Sequence, residues 1–124
     1  GVQTCALPIF LTSGQVSRFH RVIHDELWHF YEGDPLALID IEPDTLAVSQ
    51  HLLGCNSLSP NSILNYKHCV PGNHWQAAYS TGEYSLVGCT VAPGFDFADF
   101  EFLREDQTVQ TKIMNAHPEF SRFL

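Results

Sequence analysis

Between Phe10 and Gly94 the chain is cut into short apolar segments by turn signals: Ser13-Gly14-Gln15, His24-Asp25, Gly33-Asp34-Pro35, Glu42-Pro43-Asp44, Pro71-Gly72-Asn73, Thr81-Gly82 and Pro93-Gly94. Proline cannot donate to a β-ladder, and glycine takes up turn conformations that other residues resist, so long helices do not cross these points. The segments between the turns are rich in aromatic and β-branched residues, which favour strands. Short strands at this spacing define an all-β sandwich or barrel.

The strands are expected at residues 10–12, 16–23, 26–31, 36–41, 46–53, 66–70, 74–79 and 84–91, the first two as a hairpin about Ser13-Gly14-Gln15. Residues 56–65 are polar, contain Pro60 and read as a loop. Residues 95–102 alternate aromatic and polar side chains through part of their length, and polar turns then lead to a short amphipathic C-terminal helix over 119–124. Strand periodicity puts His20 and Val22 on one face and Phe19, Arg21 and Ile23 on the other. In the next strand Glu26, Trp28 and Phe30 share a face, and Leu27, His29 and Tyr31 share the opposite one, both apolar enough to be covered.

A length of 124 residues with 44% hydrophobic content is ample for one packed domain. Six basic against fourteen acidic residues, with no Lys/Arg cluster, argue against nucleic acid and against an anionic membrane surface. No apolar run approaches the roughly 20 residues of a membrane-spanning helix. Residues 1–9 look like the translation of a sequencing-library adapter, so the native domain is expected at 10–124, with its natural N-terminal edge truncated and residues 1–9 poorly packed. Beyond Cys5, the three cysteines Cys55, Cys69 and Cys89 show no C-x-x-C spacing, which points to reduced thiols and a cytoplasmic setting.

Gly14, His20, Glu26 and Gly33 fall on the spacing G-x5-H-x-H-x3-4-E-x6-G, and Val70-Pro71-Gly72-Asn73-His74-Trp75 loosely follows G-x5-P-x-G-x2-H-x3-N. These resemble the two motifs of the cupin superfamily. Three blocks sharpen the likeness: Phe19-His20-Arg21 with residues 25–31, Val70-Pro71 with Trp75-Gln76-Ala77, and residues 88–97. Together they resemble the cupin_5 group of uncharacterised cupin-like proteins. The resemblance implies a double-stranded β-helix, or jelly roll, with a small-molecule pocket in the barrel mouth and a homodimer.

Metal-dependent cupins hold their ion with three histidines and a glutamate, and here the resemblance carries over only to His20 and Glu26. Val22 stands at the second histidine position, and the third falls on Trp75 or Gln76. His74 is one residue out of place, which on a strand means the opposite face. The cofactor expectation is therefore none, with a divalent transition metal on His20, Glu26 and a repositioned His74 left open. A histidine beside a glutamate in a pocket lined by Val22, Trp28, Phe30, Trp75, Gln76 and Tyr84 suits acid-base work. Metal-free sugar-nucleotide epimerases of the superfamily use a histidine in this first-motif region, and the resemblance gives His20 that role, with Glu26 orienting it and Tyr84 or Tyr66 returning a proton. Three readings stand: a small-molecule, carbohydrate-type binding module; a metal-independent isomerase or epimerase; and a metal-dependent enzyme such as a dioxygenase.

Overall fold

Alternating side chains fold the chain into two antiparallel sheets in the computed structural model, which describes residues 6–55 and 64–124. Among these the strands are β1 (Ala6–Thr12), β2 (Val16–Val22), β3 (Glu26–Gly33), β4 (Leu36–Ile41), β5 (Val48–Leu53), β6 (Lys67–Val70), β7 (Trp75–Ser80), β8 (Tyr84–Val91) and β9 (Phe100–Phe102). One sheet runs β1-β8-β3-β6 and the other β5-β4-β7-β2-β9. The chain changes sheet at nearly every turn, which is the connectivity of a jelly roll. Residues 56–63 of the expected loop lie outside the described residues.

The expected hairpin of the first two strands does not form. Thr12 ends a strand paired with β8, while β2 leaves the Ser13-Gly14 turn to pair with β7 and β9 in the opposite sheet. Among the described residues only β4 and β5 are sequential partners, Leu36 facing Leu53 and Ile41 facing Val48. Of residues 1–9, residues 6–9 continue β1 in register with β8 rather than lying loose, although Leu7 and Pro8 stay exposed. Residues 1–5 lie outside the described residues.

Two apolar layers follow from the two faces of the second sheet. Inside the roll, Trp28, Phe30, Leu36, Leu38, Leu53, Val87 and Cys89 interlock. On the outside of the second sheet, Phe19, Ile39, Ile41, Trp75 and Ala77 are covered by Leu103, Ile113, Phe120 and Phe123. Strand β4 is buried on both faces as a result. The outer face of β3 is not covered as expected, since Leu27 and His29 are half-buried and Tyr31 is exposed.

The C-terminal cover is larger than the sequence suggested. Helix α1 (Gln107–Ala116) starts where the Asp106 carboxylate accepts from the Val109 amide at 3.0 Å. Its apolar stripe is narrow, Val109 and Ile113 one turn apart, so a window average hides it. The expected C-terminal helix is a 3-10 turn, Pro118–Phe123, which delivers Phe120 and Phe123 edge-on to Phe19 at centroid distances of 5.9 and 5.7 Å.

Gly14 and Gly33, the outer glycines of the first motif, both have positive φ, +84° and +97°. A Cβ at Gly14 would meet open space, whereas one at Gly33 would strike the Tyr84 carbonyl and ring. Urea unfolding will therefore separate them: Gly14→Ala is expected to cost about 1 kcal/mol, and Gly33→Ala about 2 kcal/mol or more because backbone strain and collision add.

Candidate functional site

Strand β2 carries an irregularity between Ser17 and His20, after which His20 pairs with Gln76 of β7 on one side and Phe102 of β9 on the other. Directly opposed residues share a face, and Gln76 in turn opposes Asp40 of β4. His20, Gln76 and Asp40 therefore form one polar row on the inner face of the second sheet. Glu26 opens β3 in the first sheet between Val91 and Val70 and faces this row across the barrel mouth.

Hydrogen bonds lock the two sheets together at this level. Trp28 Nε1 donates to Gln76 Oε1 at 2.6 Å, and Gln76 Nε2 donates to Glu26 Oε2 at 2.6 Å. His20 Nδ1 donates to the Arg18 carbonyl at 2.7 Å, and its ring stacks on Phe100 with centroids 5.2 Å apart. That bond fixes the tautomer: in neutral His20 the lone pair is on Nε2, which lies 4.0 Å from Glu26 Oε2. Burial holds the His20 pKa below the ordinary imidazole value, outweighing the Arg18 carbonyl and the Glu26 carboxylate, which both raise it. Next to Glu26, the Cys89 thiol is pushed far up by burial and by the carboxylate, so it is neither a nucleophile nor a thiolate ligand.

His20 and Glu26 open onto a cavity of about 380 Å³. Its walls are Val22 and Ile9 with Leu7, Pro8, Cys89 and Val91, and four aromatics, Phe95, Phe97, Phe100 and Phe102; Ser17 and Arg18 add polar groups. Of the residues expected around the pocket, Val22 lines it with His20 and Glu26. Trp28, Phe30 and Gln76 are buried behind it, in the interior packing and the hydrogen-bond relay. Trp75 lies on the other face of its strand beneath the C-terminal cover, with the Arg21 guanidinium 4.6 Å from its ring centroid. Tyr84 packs against Phe10 and reaches Glu32, and Tyr66 is exposed and bonds Cys55, so neither returns a proton in this cavity. The aromatic wall from 95–102 and the consecutive cavity residues Ser17 and Arg18 were missed, the latter because only a bulge lets neighbours face the same way.

The other histidines are placed elsewhere. His24 lies 3.8 Å from Asp99, and His29 bonds Thr90 Oγ1 at 2.9 Å. His74 Nδ1 is 2.7 Å from Asp40 Oδ1 and pairs with that carboxylate, whereas the histidine paired with Glu26 is His20. The usual cupin metal positions are thus His20, Val22, Glu26 and Gln76, and this set does not fit an ion. Val22 has no donor atom, and Gln76 has its oxygen taken by Trp28 and its nitrogen turned toward Glu26.

A jelly roll with a histidine and a glutamate facing each other across its mouth is a cupin-type barrel. This chain belongs to the Cupin_5 family (Cupin superfamily, DUF985), which matches residues 3–103. It is similar to protein SO0799 of Shewanella oneidensis at 28% identity and TM-score 0.82, over 95% of this chain and 72% of that one. A hypothetical protein from Leishmania major is 26% identical with TM-score 0.72 over the same shares, 95% and 72%. A dTDP sugar isomerase from Desulfovibrio desulfuricans shares the fold at 13% identity and TM-score 0.66, over 88% of this chain and 69% of that one. No curated protein matches the sequence.

Because the His20 pKa lies below its unfolded value, the unfolded chain binds this proton first as pH falls. The associated stability is present above the ordinary imidazole pKa and is lost as pH drops from there to the folded pKa. NMR titration of the His20 ring is expected to give a midpoint below about 6.5, and His20→Gln is expected to flatten that part of the stability profile. A midpoint at or above the ordinary value would contradict the assignment.

Proposed function

We propose that the barrel mouth binds a small carbonyl compound of carbohydrate type and that His20 moves a proton on it without a metal. The observation that carries this reading is the fixed tautomer of His20, whose basic Nε2 stands 4.0 Å from Glu26 at the edge of an apolar cavity. A neutral, buried imidazole is a competent general base near neutral pH. His20 takes the proton from the carbon next to the carbonyl, and the C–H electron pair passes into the enolate. The imidazolium formed is stabilised by Glu26, which Gln76 holds in place. The same imidazolium returns the proton to the former carbonyl carbon, while the proton of the adjacent hydroxyl passes to the enolate oxygen, so the isomerisation balances with no oxidant or cofactor.

Inversion of a stereocentre would need a second acid on the opposite face of the substrate. The tyrosines suggested for that role lie away from the cavity, which favours same-face isomerisation over epimerisation. The phenylalanine wall suits the apolar face of a sugar ring, and Arg18 at the rim brings a positive charge that suits an anionic substituent.

Dihydroxyacetone, fructose 6-phosphate and pyruvate serve as probes, with incorporation of solvent deuterium followed by NMR. At least one is expected to exchange, and His20→Asn is expected to slow that exchange by about 100-fold or more. Probes that shift the His20 and Phe100 resonances without exchanging, or exchange that survives His20→Asn, would reduce the site to a binding pocket.

A further inference from the structure

On the other side of Gln76 from the cavity, a second polar group converges from strands that carry no cupin motif ligand. Asp40 faces inward from β4 by alternation with Leu36 and Leu38. His51 of β5 opposes Leu38, and His68 of β6 opposes Trp28, so both imidazoles point into the roll from the two facing sheets. One ligand atom from each of Asp40, His51 and His68 lies within 4.8 Å of the other two. The cluster thus sits where the edge strands of the two sheets meet. There the bridge from Leu53 to Asn65 is the only isolated pairing among the described residues.

Each member is in a state that suits a ligand. The Asp40 side chain is 9% exposed, and its ion partner is His74, not an arginine or lysine. A buried carboxylate with so little compensation is costly, and a bound cation offsets that cost. The His51 and His68 rings stack with centroids 3.6 Å apart and planes 21° from parallel. Neither ring makes a hydrogen bond among the described residues, so their nitrogens are uncommitted. Burial and the adjacent His51 hold the His68 pKa below its ordinary value against the pull of Asp40.

We propose that Asp40, His51 and His68 form a binding site for a divalent first-row transition ion, zinc being the representative case. Two imidazoles and a carboxylate match that class better than calcium or magnesium, which take oxygen ligands, or copper(I), which takes thiolates. His74, bonded to Asp40 Oδ1, acts as the outer partner that orients the carboxylate and leaves its second oxygen for the ion. Ligand atoms around tetrahedral zinc lie about 3.3 Å apart, so loading draws the three groups inward and turns the imidazoles from stacked to splayed. The ion ties β5 to β6 across the seam, and three protein ligands leave a coordination position for water or a small anion. This site shares no ligand with the His20 and Glu26 pair and does not depend on the proposed isomerase chemistry.

Titration of the whole chain with zinc, and with cobalt(II) as a coloured surrogate, tests the assignment. One ion per chain is expected, with the absorption of a four- or five-coordinate cobalt centre and a Tm that rises with zinc concentration. His51→Asn and His68→Gln are each expected to weaken binding by about 100-fold, and His74→Ala by about 10-fold, while His20→Asn leaves it unchanged. In the unsubstituted protein zinc is expected to shift the ring resonances of His51 and His68 and not those of His20 or His29, a readout that does not depend on any variant folding. Absence of binding at micromolar zinc, binding that survives both substitutions, or shifts centred on His20 would overturn the proposal.

Discussion

The two sheets of this roll are held at the level of the site by one buried relay, from the Trp28 indole through the Gln76 amide to the Glu26 carboxylate. Most of the interface between the sheets is apolar and tolerates small shifts, because dispersion and burial are not directional. Two 2.6 Å hydrogen bonds in series are directional, and they set how far β3 stands from β7. Breaking either leaves a buried polar atom unsatisfied, at a cost of about 1–3 kcal/mol and more where the carboxylate is the orphan. The relay therefore acts on position as much as on stability: it fixes Glu26, and Glu26 fixes what His20 faces.

Gln76 also decides which chemistry the mouth supports. A histidine at this position would offer a lone pair to an ion beside Glu26; the amide instead presents N–H to the carboxylate and accepts from Trp28. Its geometry holds Glu26 as a bonded carboxylate facing an imidazole, which is an acid-base arrangement. Val22 contributes only a methyl surface, and Phe100 closes the other side of His20. With water partly excluded by these apolar neighbours, the imidazole stays neutral and its interaction with Glu26 is less screened.

The strand pattern and the inward pairing of His20, Val22 and Glu26 were legible because period-two alternation is local, and the motif glycines mark the turns that end the strands. What was not legible depended on pairing between distant strands. Trp75 and Gln76 are neighbours, and only the register of β7 against β2 and β4 shows that the glutamine faces in and the tryptophan faces the C-terminal cover. The expected hairpin failed for the same reason: Ser13-Gly14-Gln15 is a competent turn, but a turn does not say which sheet its second strand joins. The 95–102 segment shows only a partial aromatic–polar alternation in sequence, and the place of Phe100 and Phe102 on the cavity wall follows from β9 pairing with β2. His51 and His68 lie far apart on strands without a ligand motif, so their contact exists only in three dimensions.

Asp40 and Glu26 are both buried carboxylates in a chain with a formal charge of −8, and no Lys or Arg is ion-paired with either among the described residues. A histidine faces each one instead, His20 against Glu26 and His74 against Asp40, with the neutral Gln76 on the row between them. A buried ion pair often gives a fold no more stability than aliphatic residues of similar volume would. Stability is therefore a weak account of the two carboxylate–histidine pairs inside this otherwise apolar barrel. Arginine partners would saturate both carboxylates with fixed multiple bonds, whereas a single histidine partner leaves oxygen lone pairs open to another donor or a cation. The interior is therefore built to stay chemically responsive on both sides of Gln76, toward the cavity through His20 and toward the seam through His74.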